Sequence, residues 1–100
     1  MRDRWQELQD DIGEFTTKTF KNASARSKAL HLSEEAIEAA DDPADIIEWA
    51  DCMILLLDGA RHAGFSTEDL YHAVLQKMEI NKKRKWGSAD AEGVVRHIEG

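Results

Sequence analysis

Proline occurs once, at Pro43, and cysteine once, at Cys52, and no stretch alternates apolar with polar residues as a half-buried strand would. The lone cysteine excludes an intrachain disulfide and suits a reducing compartment; within an apolar segment it reads as a small core residue. The six glycines fall mostly near the ends of periodic segments, which is helical punctuation. Basic residues are scarce. Thirteen Lys and Arg face twenty Asp and Glu, a net charge of −7 that opposes non-specific binding to a nucleic-acid polymer. A small anionic ligand would need a bridging metal or a local basic patch. No apolar run approaches the ~18 residues that span a membrane, and the start, M-R-D-R-W-Q-E, has no apolar signal region, so a cytoplasmic protein without a membrane partner is expected. A chain of 100 residues sustains one small core, so residues 1–100 are expected to form a single domain.

What is present is helical periodicity. Trp5, Leu8, Ile12 and Phe15 recur in alternating three- and four-residue steps and predict a helix over about 3–20, which Gly13 weakens slightly. Ala25, Ala29, Leu32, Ala36 and Ala39 repeat the pattern over about 24–40, and their small size permits close packing. Asp42 before Pro43 reads as an N-cap with proline at the first helical position, opening a third helix that runs to about residue 62. The chain turns at Gly64, and Ser66 followed by Thr67, Glu68 and Asp69 supplies a cap and an acidic first turn for a fourth helix to about residue 84. Four helices with short connections predict an all-α antiparallel four-helix bundle, with residues 85–100 as an irregular tail.

The third helix carries the most informative pattern. From Ile46 to Leu57 it is apolar almost all round, and its only charges are Glu48 and Asp51. Such a helix is expected to be buried, and carboxylates are rarely buried without a partner or metal. Glu35 and Glu38 show the same three-residue spacing one helix earlier. Residues three apart lie about 60° apart around a helix, so each pair forms a two-pronged acidic claw on one face. Antiparallel packing of the second and third helices would bring all four carboxylates together. Two like charges ~5 Å apart repel by about 3 kcal/mol at an effective dielectric of about 20, so the set calls for neutralisation. Oxygen-only ligands favour Mg²⁺ or Mn²⁺, and Mg²⁺ commonly binds substrate phosphates as well, which points to nucleotide phosphate chemistry.

Neighbouring residues leave alternatives open. Glu34, four before Glu38, is the substitute ligand on the second helix. Asp58, seven after Asp51, either holds a metal-bound water or is an ordinary polar position near the helix end. His31, four before Glu35, either orients a ligand or contacts phosphate, or simply faces solvent. On the fourth helix Leu70, Val74, Lys77, Asn81 and Arg84 share one stripe, so the polar members point where the apolar ones do. Lys77 and Arg84 could neutralise triphosphate oxygens and Asn81 could bond phosphate, sugar or base; the plain alternative is a basic helix end matching the helix dipole. Trp86 either stacks on a base or plugs the bundle end, and Trp49 lines the pocket or a subunit interface.

The segments E-E-A-I-E, E-W-A-D and K-M-E-I-N-K-K-R-K-W-G resemble the MazG-like all-α nucleoside triphosphate pyrophosphohydrolases, most closely the small phage and prophage type with dATP/dGTP diphosphohydrolase activity. The resemblance covers about residues 30–97. It implies that Glu35, Glu38, Glu48 and Asp51 are the catalytic, Mg²⁺-binding set and that Lys77 and Asn81 contact nucleotide. It implies attack of a metal-activated water on the α-phosphorus, giving a nucleoside monophosphate and pyrophosphate. A third helix too apolar for one small bundle to cover predicts a homo-oligomer, a dimer or tetramer joined through helix faces. Two rivals stand beside this reading: the same fold acting on dUTP, dCTP or a damaged nucleotide, and a non-enzymatic acidic helical module that binds a basic partner.

Overall fold

The computed structural model describes residues 3–98; the first two residues of the N-terminal stretch and the last two of the tail lie outside them. Four helices make up the regular structure: α1 (Arg4–Thr19), α2 (Ala25–Asp41), α3 (Ile46–His62) and α4 (Thr67–Lys83). The fold is all-α, with no strand among the described residues, and none of the helices is long and apolar enough to cross a membrane.

Local chemistry sets most of the boundaries. Asp3 caps α1 by accepting from the Trp5 N–H at 3.0 Å. Ser24 and Ser27 cap α2 reciprocally, each hydroxyl accepting from the other's backbone N–H. Ser66 and Asp69 do the same at the start of α4, at 2.9 and 3.1 Å. After α3 the Phe65 N–H reaches back to the Ala60 carbonyl and the Gly64 N–H to that of Arg61, a Schellman closure that needs the positive φ of 95° found at Gly64.

The start of α3 differs from the expectation. Asp42 does not cap it and Pro43 is not its first residue. The Asp42 N–H bonds the Glu38 carbonyl and closes the last turn of α2, so Asp42 is the C-cap of that helix. Pro43 and Ala44 form a turn, and Asp45 caps α3 by accepting from the Ile47 N–H at 2.9 Å.

The described chain divides into two compact units, one through Asp69 and one from Leu70. In the first, α2 and α3 form an antiparallel hairpin: Lys28 meets Asp58, Glu35 faces Asp51, and Glu38 faces Glu48, so positions rise along one helix as they fall along the other. α1 lies against α3. The core is small, with Ile12, Ala39, Leu55 and Leu57 as its buried apolar residues. Buried polar groups do much of the joining. The Gln9 amide donates to the carbonyls of Leu57 and Phe65 at 3.0 and 3.1 Å, while Gln6 accepts from the Thr67 N–H at 3.0 Å. The expected burial of α3 is confined to its C-terminal half. Leu55, Leu57 and Asp58 are buried, whereas Ile46 and Ile47 are 78% and 61% exposed.

The second unit holds the rest of α4 and the tail. The tail adds no helix or strand, yet it is not loose. It folds into a short hairpin in which Trp86 bridges His97, the Gly87 N–H reaches the Arg96 carbonyl, and the Ile98 N–H reaches that of Lys85. Asp90 tightens the turn, accepting from the Glu92 and Val94 N–H groups and pairing with Arg96 at 2.8 Å. These bonds hold its carboxyl below the ordinary aspartate range, Arg96 contributing most.

Candidate active site

The α2/α3 hairpin register decides where the acidic residues go. Because helical positions three apart share a face and the two helices run antiparallel, the two claws are set opposite each other. Carboxylate oxygens of Glu35, Glu38 and Glu48 lie within 4.8 Å of one another. Asp51 is close enough for its charge to act on both Glu35 and Glu48. Glu34, one residue off this face, is exposed and outside the trio.

The electrostatics are those of an incomplete site. Glu35 titrates above the ordinary glutamate range, first because it shares a hydrogen bond with Glu38, then through partial desolvation and the charges of Glu38 and Asp51; nearby His31 acts in the opposite direction. Glu48 is raised by desolvation first, then by the charges of Glu38, Asp45, Asp51 and Asp42. Its Oε2 atom is buried and has no hydrogen-bond partner. A buried carboxylate oxygen without a donor, amid other carboxylates, is costly unless a cation completes it. The all-oxygen donor set, converging from two rigid helices, fits a hard divalent ion. His31 Nε2 lies 3.2 Å from Glu35 Oε1, a contact that braces this carboxylate from the side.

A groove of about 580 Å³ opens beside this cluster. Glu35 and Asp51 stand at one end of it and Lys28 with Asp58 at the other, while Ile12, Phe15, Phe20 and Ile54 supply apolar walls. Neither sequence reading of Asp58 describes what it does. It is fully buried and forms a hub: Arg61 Nε donates to Oδ1 at 2.9 Å, Thr16 Oγ donates to the same oxygen at 3.2 Å, and Lys28 Nζ lies 3.3 Å from Oδ2. Burial pushes its carboxyl upward, but the bonds from Arg61, Lys28 and Thr16 outweigh it and hold Asp58 below the usual range. A Cβ at Gly13 would come within 2.5 Å of Arg61 Nε, so the glycine in α1 leaves the space that the guanidinium occupies.

Lys28, Thr16 and Arg61 were not singled out in the sequence. A signal existed: Lys28 precedes Glu35 by seven residues as Asp58 follows Asp51 by seven, so an antiparallel register that joins the claws also joins this pair. The remaining candidates are placed as follows. Trp49 is exposed, does not line the groove, and donates its indole N–H to the Pro43 carbonyl at 3.0 Å. Lys77, Asn81, Arg84 and Trp86 belong to the second unit. There the Trp86 indole donates to the Asn81 carbonyl at 2.9 Å, Asn81 Oδ1 is buried without a hydrogen bond, Arg84 Nη1 lies 3.5 Å from His97 Nδ1, and Lys77 is exposed.

Comparison with known proteins places this arrangement. A cyanophage S-2L protein named dATP/dGTP diphosphohydrolase is 42% identical over 96 residues, covering 94% of this chain and 88% of the relative. The Eaa protein of Salmonella phage P22 is 42% identical over 79 residues, which are 79% of this chain but 25% of that protein. A dATP/dGTP diphosphohydrolase of Salmonella phage PMBT28 is 34% identical over 95 residues, 92% of this chain and 31% of the relative. The chain thus spans about a quarter to a third of the length of the two Salmonella phage proteins. Among solved structures it resembles the cyanophage S-2L MazG-like pyrophosphohydrolase bound to dGDP and three catalytic Mn²⁺ ions per active site, with a TM-score of 0.73, 34% identity and coverage of 94% of this chain and 92% of that one. A sequence model of the dATP/dGTP pyrophosphohydrolases matches residues 8–99, across both units. By fold and by sequence, the chain belongs to the dATP/dGTP pyrophosphohydrolase family.

Proposed function

We propose that this chain hydrolyses deoxypurine nucleoside triphosphates, dATP and dGTP, to the monophosphate and pyrophosphate, using Mg²⁺ or Mn²⁺. The observation that carries the reading is the convergence of Glu35, Glu38 and Glu48, within 4.8 Å, around a buried Glu48 oxygen that has no donor. The names of its phage relatives, and the dGDP and Mn²⁺ bound by the cyanophage structure, support the same assignment.

In this reading Glu35, Glu38, Glu48 and Asp51 are the catalytic residues and the metal ligands. Divalent cations supply Lewis acidity, lowering the pKa of water and offsetting charge on the triphosphate. The carboxylates fix where that charge sits, and one of them accepts the proton lost as water attacks the α-phosphorus. A new P–O bond forms there as the bond to the pyrophosphate oxygen breaks, with inorganic pyrophosphate leaving. His31 holds Glu35 in place. On the second unit the groups assigned to the nucleotide are Lys77 and Arg84 as positive charges, Asn81 through its unpaired Oδ1, and Trp86; Trp49, which does not line the groove, is assigned to the subunit interface. No protein nucleophile is required.

The protein works as a homo-oligomer in the cytoplasm. Ile37, Ile46, Ile47 and Trp49 are each more than half exposed near the α2/α3 turn, and this many exposed apolar residues close in sequence support a contact face there. The test is pyrophosphate release from a panel of ribo- and deoxynucleoside triphosphates, with Mg²⁺ or a chelator, in ¹⁸O water. Release confined to dATP and dGTP, sensitive to chelator, with ¹⁸O in the monophosphate, is the expected result. Preference for dUTP or dCTP would move the assignment to a pyrimidine substrate, and silence across the panel to a binding module.

A further inference from the structure

Beyond the acidic cluster, the groove contains a cation whose bonds account for only part of its donor capacity. Lys28 has a side chain 9% exposed, lies 3.3 Å from Asp58 Oδ2, and sits 4.8 Å from the centre of the Phe20 ring. An ammonium carries three N–H donors, and among the described residues Lys28 is paired with the Asp58 carboxylate as its counter-ion. Asp58 fixes its position. Burying a lysine here is costly, and salt-bridge stabilisation alone does not require the ammonium to line an open groove.

The groove's geometry says what reaches it. Lys28 and Asp58 each lie seven residues, two helical turns or about 10 Å, from Glu35 and Asp51 respectively. If the acidic end holds the triphosphate, which is the reading proposed above and the one this inference rests on, the sugar and base extend along the groove toward Lys28. Phe15 and Phe20 meet edge to face at 6.0 Å, line the groove, and are 60% and 50% exposed, leaving ring surface for a planar ligand. The volume of about 580 Å³ lies in the usual range for a small-molecule site, about 300–1,000 Å³.

We infer that this groove seats the purine ring and that Lys28 is a specificity-determining residue, donating a hydrogen bond to purine N7. Adenine and guanine differ at the six position, where one presents an amino donor and the other a carbonyl acceptor; N7 is the acceptor they share, and pyrimidines have no counterpart. One lysine aimed at N7 accepts both purines and leaves a pyrimidine with the ammonium unanswered. A buried donor that loses its acceptor is penalised, and this makes the lysine discriminating.

The experiment compares dGTP and dATP with their 7-deaza analogues, in which N7 is replaced by C–H, as substrates of the wild type, Lys28→Met and the double variant Lys28→Met/Asp58→Asn. The double variant avoids a buried carboxylate without its lysine. Wild-type kcat/KM is expected to fall about 10- to 100-fold for each 7-deaza substrate, and the ratio of natural to 7-deaza to collapse toward one in whichever lysine variant is folded. Equal turnover of natural and 7-deaza substrates by the wild type overturns the inference and leaves the proposed reaction intact. So does a ratio that survives the loss of Lys28. Failure of the wild type to hydrolyse dGTP or dATP with Mg²⁺ overturns the reaction and the inference together.

Discussion

Lys28 Nζ stands 3.3 Å from Asp58 Oδ2 in the same α2/α3 register that sets Glu35 opposite Asp51. One hairpin thus carries two kinds of cross-helix contact two turns apart: a matched pair that stabilises it and a mismatched acidic set that destabilises it until a cation arrives. The charge balance thus reverses along the hairpin, and substitutions at the two ends should have opposite effects on stability.

At the matched end, Asp58→Ala leaves Lys28 buried without its counter-charge and takes the bonds from Thr16 and Arg61. Breaking a buried pair from one side typically costs about 3–5 kcal/mol. Urea unfolding should show a correspondingly lower midpoint; an unchanged midpoint would mean that the hub contributes nothing.

Asp58 also predicts an acid limb. Its folded pKa lies below the unfolded value of about 3.9, so its contribution is complete above that pH and is lost as pH falls through the lower folded value. Melting temperature measured from pH 5 downward should drop more steeply in the wild type than in Asp58→Asn, which has no charge to lose. Parallel curves would remove Asp58 from the account.

At the mismatched end the sign reverses. Glu48 has a raised folded pKa, so without cation its charge costs stability as pH rises from about 4.3, the unfolded value, through the folded one. Glu48→Gln should therefore melt higher than the wild type in chelator at neutral pH. It should also lose the rise in melting temperature that Mg²⁺ gives the wild type, and turn over triphosphate on the order of 10²-fold more slowly. A variant that still responds fully to Mg²⁺ would place the cation elsewhere.

Gly13→Ala probes how α1 joins the hub. Alanine is the better helix former by about 1 kcal/mol, yet its Cβ would meet the Arg61 side chain, which Asp58 holds in place. Crowding of this kind costs about 1–3 kcal/mol, so net destabilisation is expected, relieved when Arg61→Ala is added. A more stable Gly13→Ala protein would show that Arg61 is free to move aside.

The helices were legible in the sequence wherever their ends were decided locally. Ser66 was readable as a start because capping uses residues within three positions, and the two claws because helical spacing puts each pair on one face. The start of α3 was not, because Asp42 closes the last turn of α2 and a second aspartate, Asp45, supplies the cap three residues on. The Lys28–Asp58 pair was hidden for a different reason. Its two members are thirty residues apart, and only the hairpin register joins them. Lys28 thus drew no reading and Asp58 was left between holding a metal-bound water and an ordinary helix-end position, while the groove they line had no local signature at all.

The most direct test of the central claim is Mg²⁺-dependent pyrophosphate release from dGTP by the wild type, Glu38→Ala and Asp51→Ala side by side, with circular dichroism to establish folding. The account predicts release by the wild type that chelator abolishes, and losses of on the order of 10²-fold or more in both folded variants. Full hydrolysis by either variant would contradict it, because one member of the acidic set would then be dispensable to the reaction the set is proposed to perform.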